Sequence, residues 1–295
     1  MNTLPTIFNT PVSSLFERGG IDLVAALDAV KYDLMHVEQA KTQIVHRFAP
    51  GIYIRETSIP AGTLVIGHIH KTEHLNVLLK GSGIILLENG TPHKVTAPFT
   101  MVSKPGRKIA YVLEDAVWQN IHATEERDID TLEAMLIDTD TKWEGSVAEL
   151  SQRMLSSPED KNDFELFLAE NGIDADWAWE QSQRQDTMTE MPHGGYKFKV
   201  GDSAIHGKGI VATADIMEGE VIGPARLGDK RTLLGRYTNH SATPNAKPVR
   251  RGMSSDIDMV ATRSIDGMKG FMDGEEITID YRQSFKLAMQ INSEG

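Results

Sequence analysis

The sequence predicts a mainly β protein with a helical connector, an α+β chain built from two β-rich parts. Three observations predict it. Between Phe48 and Ile121, short β-like runs (GIYIRETSI, TLVIGHIH, LNVLLKG, GIILLENG, AYVLEDAVWQNIH) alternate with breaks at Pro60-Ala61-Gly62, Gly81-Ser82-Gly83, Asn89-Gly90 and Pro105-Gly106. That is the pattern of a barrel or sandwich. Residues 126–190 change to helical spacing and acidic composition, and strand-like runs resume from Tyr196 to Tyr281.

Taken in order, residues 1–45 form an N-terminal helical segment. Leu23, Val24, Leu27, Val30 and Leu34 recur at helical spacing, so one helix is expected from residue 12 to about 44, packed on the β-rich part after it. Residues 46–125 form the first β domain. Residues 126–194 form the connector, in which Phe164, Phe167 and Leu168 share a helical face and Asn171-Gly172 reads as a helix stop. Trp177 and Trp179 are expected to pin the connector to a domain by packing. The stretch DTMTEMPHGG reads as a linker. Residues 195–287 form the second β domain and 288–295 a tail. No internal repeat or low-complexity tract interrupts this order.

Composition narrows the function. A length of 295 residues suits about two domains. No run of eighteen apolar residues occurs, so no spanning helix and no membrane partner are expected. The N-terminus lacks a basic start followed by a long apolar core, so no secretory signal is read. With no cysteine, disulfides, thiolate zinc sites and a cysteine nucleophile are excluded, and a cytoplasmic location is expected. The net charge of −12 argues against nucleic acid as partner. The acidity is local. Residues 1–124 carry 11 basic and 10 acidic side chains, residues 125–190 carry 5 and 19, and residues 191–295 carry 14 and 13. The middle therefore reads as a solvated connector or as a docking surface for a basic partner.

The first chemical constellation is Gly62-Thr-Leu-Val-Ile-Gly-His68-Ile-His70-Lys-Thr-Glu73-His74. Residues two apart on a strand point the same way, so His68 and His70 can offer two imidazoles to one point, with Glu73 and His74 following across a bend. Such N and O ligands suit a divalent metal, and the candidate ligands are His68, His70 and His74. The spacing resembles the first motif of the cupin family: a Gly, five residues, His-x-His, three or four residues, Glu, then a Gly, here Gly81. The resemblance implies a double-stranded β-helix barrel over about residues 46–124. Two positions depart from it. His74 stands where the family has Glu, and the run Pro105-Gly106-Arg107-Lys108-Ile109 lacks the family's second-motif His, His122 lying later on the expected final strand where it can face elsewhere. The segment also resembles a phage-type cupin-like module, through His70-Lys71 with His74, Pro105-Gly106-Arg107-Lys108, and Trp118 with His122. That likeness implies a viral or prophage origin and action in a bacterial host cytoplasm.

The second constellation has three pieces. The first runs from Ile205 through His206-Gly207-Lys208-Gly209 to Ala212. The second is Arg236-Tyr237-Thr238-Asn239-His240-Ser241-Ala242-Thr243-Pro244-Asn245. The third is Gly274-Glu275-Glu276-Ile277-Thr278-Ile279-Asp280-Tyr281. A Gly-x-Gly between β-like residues lets backbone approach a ligand. In this order the pieces resemble the SET family of protein lysine methyltransferases, compact viral and bacterial type, over residues 195–286. The resemblance implies a β-clip fold in which the second and third pieces thread together, with S-adenosylmethionine as cofactor. It implies that Lys208 and Gly209 contact the methionine part, and that Arg236, Tyr237, Asn239 and His240 form the cofactor wall. Tyr281 becomes the active-site tyrosine and Phe285 lines a lysine channel. Ala242 replaces the family's Cys, and only fifteen residues separate Glu220 from Arg236, where the family places a groove-forming insert. The run Arg250–Asp256 reads as an exposed hairpin loop.

The expected function is methyl transfer to a protein lysine, with the barrel as an accessory or dimerising module in a homodimer. Two alternatives stand beside it: a non-catalytic binding protein with a degenerate SET fold, and a metal-dependent cupin enzyme.

Overall fold

The computed structural model describes residues 12–31, 33–87, 89–138 and 158–294. The chain divides into two compact units, Met1–Leu150 with Lys269–Met272, and Ser151–Met268 with Asp273–Gly295.

The first unit opens with α1 (Val12–Arg18) and α2 (Ile21–Val30), followed by a 3-10 turn at Asp33–His36. The expected single helix is two helices. Gly19 and Gly20 break it by taking φ of 63° and 113°, which only glycine adopts at little cost. Phe16 and Leu27 are fully buried against Ile84, Leu86, Ile109 and Tyr111, so the apolar stripe does pack on the barrel strands. The side chain of Val30 lies outside the described residues.

The barrel strands are β1 (Gln43–Ala49), β2 (Ile52–Ile59), β3 (Leu64–His70), β4 (His74–Leu86), β5 (Pro92–Thr96), β6 (Phe99–Ser103), β7 (Gly106–Ala123) and β8 (Ile137–Asp138). All these pairings are antiparallel. The long strands β4 and β7 belong to two sheets at once. Their one halves build β1-β2-β7-β4-β6, and their other halves build β8-β3-β7-β4-β5. The Gly81-Ser82-Gly83 break expected from sequence is a bend inside one strand, marked by register shifts between Leu78 and Gly83. Gly81 takes φ +85°, and a Cβ there would collide with the Asp115 carbonyl oxygen. Close strand approach at the corner thus demands glycine. Leu78, Val95, Val112 and Ala116 fill the interior.

The acidic connector is divided between the units. Helix α3 (Ile129–Leu136), capped by Asp128, belongs to the first. Helices α4 (Pro158–Glu170) and α5 (Ala175–Gln183) belong to the second. The expected helix stop is present: Gly172 takes φ +62°, and the amide of Ile173 bonds the Leu168 carbonyl at 2.9 Å. Phe167 and Leu168 are buried as expected, but Trp177 is 55% exposed, not buried against a domain. The Trp179 side chain lies outside the described residues.

The second unit continues through the short strand β9 (Gly194–Tyr196), then β10 (Phe198–Asp202), β11 (Lys208–Ala212), β12 (Val221–Leu227), β13 (Lys230–Arg231), α6 (Leu233–Tyr237), β14 (Asn239–His240), β15 (Ala246–Arg250), β16 (Ile257–Ala261), β17 (Glu276–Ile279) and α7 (Tyr281–Glu294). Two four-stranded sheets result, β10-β11-β17-β14 and β13-β12-β16-β15. Phe198, Ile210, Leu234, Met259 and Ile277 are buried in it. The run Arg250–Asp256 is the expected exposed hairpin, joining β15 to β16. Residues 288–294, expected as a tail, continue α7.

Candidate functional site

The barrel gathers three histidines. His70 ends β3, His74 begins β4 and His122 lies near the end of β7. Their ligand nitrogens all lie within 4.8 Å of one another. The rings stack, with centroids 4.2 Å apart for His70–His74 and 4.8 Å for His74–His122. The sequence-based ligand set is therefore corrected at one position. His68 is outside the group and His122 takes its place. The reason is a register shift between Ile66 and Ile69 in the β3–β7 ladder. A bulge there breaks the period of two on which pairing His68 with His70 depends. Glu73 is exposed, so the group has no carboxylate from that bend.

Hydrogen bonds fix the ring of His74. The Nδ1–H of His74 donates to the Thr72 carbonyl at 3.1 Å, which leaves Nε2 with its lone pair. That lone pair accepts a 3.3 Å hydrogen bond from the Asn120 amide. Asn120 also donates to the Asn76 amide oxygen at 2.8 Å, Trp118 Nε1 donates to the same oxygen at 2.9 Å, and Asn76 donates to Ser103 Oγ at 2.8 Å. The Nδ1 of His70 is buried without a hydrogen-bond partner among the described residues. Burial first, then the neighbouring histidines, push His70 down to about 3. Burial, then His74 and Arg55, push His122 down to about 4. Burial also lowers His74. All three imidazoles are neutral near pH 7, the form a metal requires. Nitrogens sharing an ion at about 2.1 Å stand about 3 to 4.2 Å apart, close to the spacing within this group. Three nitrogens without thiolate suit Zn, Fe, Ni or Cu.

In the second unit the three motif pieces converge. Strand β14 runs parallel to β17, with Asn239 opposite Thr278 and His240 opposite Ile279. Asn245 ties the pieces further, donating to the Glu276 carbonyl and accepting from the Thr278 amide, both at 2.8 Å. The Asn239 amide lies within hydrogen-bond distance of Ser203 Oγ, the Lys208 carbonyl and Glu276 Oε1, at 2.9, 3.0 and 2.8 Å. Asn239 therefore joins all three pieces. Gly209 is glycine for a reason within the chain: a Cβ there would collide with Glu276 Oε1. Gly207, at φ +56°, turns the chain with open space beside it, and Lys208 is exposed in an ion pair with Asp202. Arg236 stacks over the Tyr237 ring at 5.0 Å.

Tyr281 opens α7, two residues beyond the end of β17. Its hydroxyl donates to the Thr238 carbonyl at 3.0 Å, and its amide donates to His240 Nδ1 at 3.1 Å. Burial, then the Glu276 carboxylate, push the phenol up to about 12. His240 is buried, and its Nε2 meets Asp163 of α4 at 2.8 Å. Since Nδ1 accepts, Nε2 carries the proton. Phe167 stacks on His240 at 6.2 Å and meets Tyr281 edge-on at 6.0 Å. Asp160 accepts from Ser241 Oγ and the Ala242 amide, and Arg282 bonds Asp163 and Glu170. The acidic helix α4 is thus bound to the second motif, not simply solvated. Sequence reasoning missed Asp160 and Asp163 in this role, because neither has a motif around it. Phe285 is 42% exposed and touches Phe167 edge-on at 6.5 Å.

No protein-family model matches the chain, and no curated protein matches it. Solved structures overlap it in part. One is an RmlC-like cupin with a double-stranded β-helix fold from Methanocaldococcus jannaschii, at 17% identity and TM-score 0.25, covering 28% of this chain and 82% of that one. Another is KdgF from Halomonas sp., at 15% and 0.27, covering 33% and 94%. A third is ectoine synthase from P. lautus, at 14% and 0.24, covering 28% and 67%. Likenesses this slight carry no argument about activity. The barrel rests on its own strand pairing.

Proposed function

We propose that the second unit transfers a methyl group from S-adenosylmethionine to a protein lysine. The observation that supports this most is the parallel pairing of Asn239-His240 with Thr278-Ile279. It brings the SET-like second and third motif pieces together with Tyr281 just past the strand end, as the resemblance implies. The surroundings of the Gly207 turn suit the donor. The open backbone turn at Gly207 and the exposed Lys208 would receive its amino-acid end, and the Arg236–Tyr237 stack is a candidate for its flat base. Asn239 and His240 contribute by holding the pieces in register, since their side-chain nitrogens are already bonded within the chain.

When bound, the donor supplies a methyl carbon on a sulfonium leaving group. The chain's work is to orient and desolvate an amine. A lysine near its ordinary pKa of about 10.4 must arrive neutral, and a partly buried apolar site favours that form. The Tyr281 phenol stays protonated through the working pH range, so it serves as a fixed dipole and not as a base. The Thr238 carbonyl that fixes it adds a second oxygen at the same place. Calorimetric titration with S-adenosylmethionine and S-adenosylhomocysteine tests the reading. Binding lost in Lys208→Ala with Arg236→Ala supports it. Absence of binding to the folded wild type sinks it and favours a non-catalytic binding protein.

A second reading is favoured by the triad: a divalent metal held in the barrel by His70, His74 and His122. The buried, unpartnered His70 Nδ1 fits such an ion, and His74 Nε2 would join it by giving up its 3.3 Å hydrogen bond from Asn120. A bound ion there would polarise a substrate oxygen or lower the pKa of a water. Elemental analysis after expression with Zn, Fe, Ni and Mn tests this reading. Metal retained by wild type and lost in His74→Ala supports it, and equal content in both overturns it.

A further inference from the structure

We propose that the barrel cavity beside the triad takes the carboxylate of a small organic acid, with Arg55 as its cationic partner. This deepens the metal-site reading and rests on it for the acid's second anchor.

The register of the barrel puts Arg55 there. On β2, Tyr53, Arg55 and Thr57 stand opposite His122, Asn120 and Trp118 of β7. On β4, Asn76 stands opposite Asn120, and Leu78 opposite Trp118. Side chains directly opposite in antiparallel strands share a face. This face is the one that carries His122 and the Asn76–Asn120 pair, so Arg55 looks into the same space as the triad. The cavity, of about 1810 Å³, is lined by Arg55, His70, Asn76, Ser103, Trp118 and His122 among others.

The charge there lacks its counterpart. Arg55 is partly buried, and its guanidinium makes a 3.3 Å hydrogen bond to Thr57 Oγ1 but no ion pair among the described residues. Its neighbours across the sheet are neutral amides and imidazoles. Its field is felt by His70 and His122, which places it near both. Of the other cations lining the cavity, Arg107 donates to the Gly67 carbonyl at 2.7 Å and Lys108 to the Lys104 carbonyl at 3.1 Å, while Lys31, Lys41, Lys104 and Lys269 stand on elements other than the β2, β4 and β7 face that carries Arg55 and His122. Glu133 of α3 also lines the cavity, and its charge and that of Arg55 both act on Tyr53, but the two make no ion pair. A partly desolvated guanidinium without a carboxylate is costly unless a ligand supplies one. The planar fork matches a carboxylate's two oxygens. Arg55 is the cation on the face that carries His122, which suits one carboxylate there, and the Trp118 and Leu78 walls suit a short apolar chain behind it.

The test uses the full chain, cobalt-loaded and cobalt-free, titrated with butyrate, n-butanol and inorganic phosphate. Wild type, Arg55→Met and Arg55→Lys are compared, with cobalt content and circular dichroism measured on each preparation. Butyrate is expected to bind wild type, to lose about tenfold in affinity with Arg55→Met and less with Arg55→Lys, while n-butanol stays silent and cobalt content is unchanged. Equal butyrate affinity in wild type and Arg55→Met overturns the proposal, as does absence of butyrate binding to wild type. Phosphate binding as tightly, with the same dependence on Arg55, overturns the carboxylate assignment. Should Arg55→Met not fold, Arg55→Lys decides by the same comparison. A wild type that takes up no cobalt sinks the metal reading instead, while its butyrate titration with and without Arg55 still decides this one.

Discussion

At the scale of single residues, the triad makes the first unit acid-sensitive. His70, His74 and His122 are held neutral in the fold, with pKa values below the ordinary 6.5. The unfolded chain therefore binds more protons than the fold once pH drops below about 6.5. The stability these rings allow is complete above that value. It drains as pH falls toward 4 and 3, the values of His122 and His70. Urea midpoints of the metal-free protein are expected to fall between pH 6.5 and 4, and to fall less in His122→Gln. A flat profile in wild type would contradict the burial of the rings. Gly209 carries a second prediction. Its missing side chain makes room for the Glu276 carboxylate, so Gly209→Ala is expected to cost about 1–3 kcal/mol of second-unit stability. In Glu276→Ala the same change should cost less, because the clashing oxygens are gone. Equal costs, read from thermal unfolding, would refute that packing account. His70 and His74 were legible in the sequence because they lie close in a motif. His122 joins them only through the register of β7, and a bulge that no spacing reveals removes His68.

At the scale of elements, two long strands and one short helix decide the sites. Strand β7 carries His122, Asn120 and Trp118 to the triad, while its other half closes the opposite sheet. Its extent was legible from the unbroken run AYVLEDAVWQNIH. The continuity of β4 was not, since Gly81-Ser82-Gly83 reads as a turn and serves as a corner. The three motif pieces and their order were legible from residue identity. That Asn239 and Glu276 join them was not, since hydrogen bonds across 37 residues leave no local pattern. Helix α4, its buried face and its stop were legible in the sequence, but the partners of its acids were not. Its acids bind Ser241, His240 and Arg282, and a helix of 13 residues is marginal without such contacts. Asp163→Ala leaves the buried His240 Nε2–H without its acceptor, a loss of about 1 kcal/mol or more. Amide exchange across α4 is expected to quicken severalfold in that variant and much less in Asp163→Asn. Unchanged exchange would mean that Phe164 and Phe167 hold the helix unaided.

At the scale of the whole molecule, each compact unit has a core and a candidate site of its own, Phe16 and Leu78 marking one core, Phe198 and Met259 the other. A ligand that binds only the folded form of a unit stabilises that unit by mass action, about 4 kcal/mol at a thousand times its dissociation constant. Thermal unfolding with two ligands therefore separates the two proposed sites in one protein. A divalent metal is expected to raise the transition that carries the barrel, reported by fluorescence of Trp118 beside the triad network. EDTA should reverse the shift, and His74→Ala should abolish it. S-adenosylhomocysteine is expected to leave that transition in place and raise the one that carries the second unit, with Lys208→Ala and Arg236→Ala removing the effect. The acidic tract does not predict which ligand does which, since acids in it cap α3 and, through α4, bind the second motif. A metal shift that survives His74→Ala would move the metal site elsewhere. A shift of the barrel transition by S-adenosylhomocysteine would assign the nucleotide to the wrong unit and count against the methyl-transfer reading.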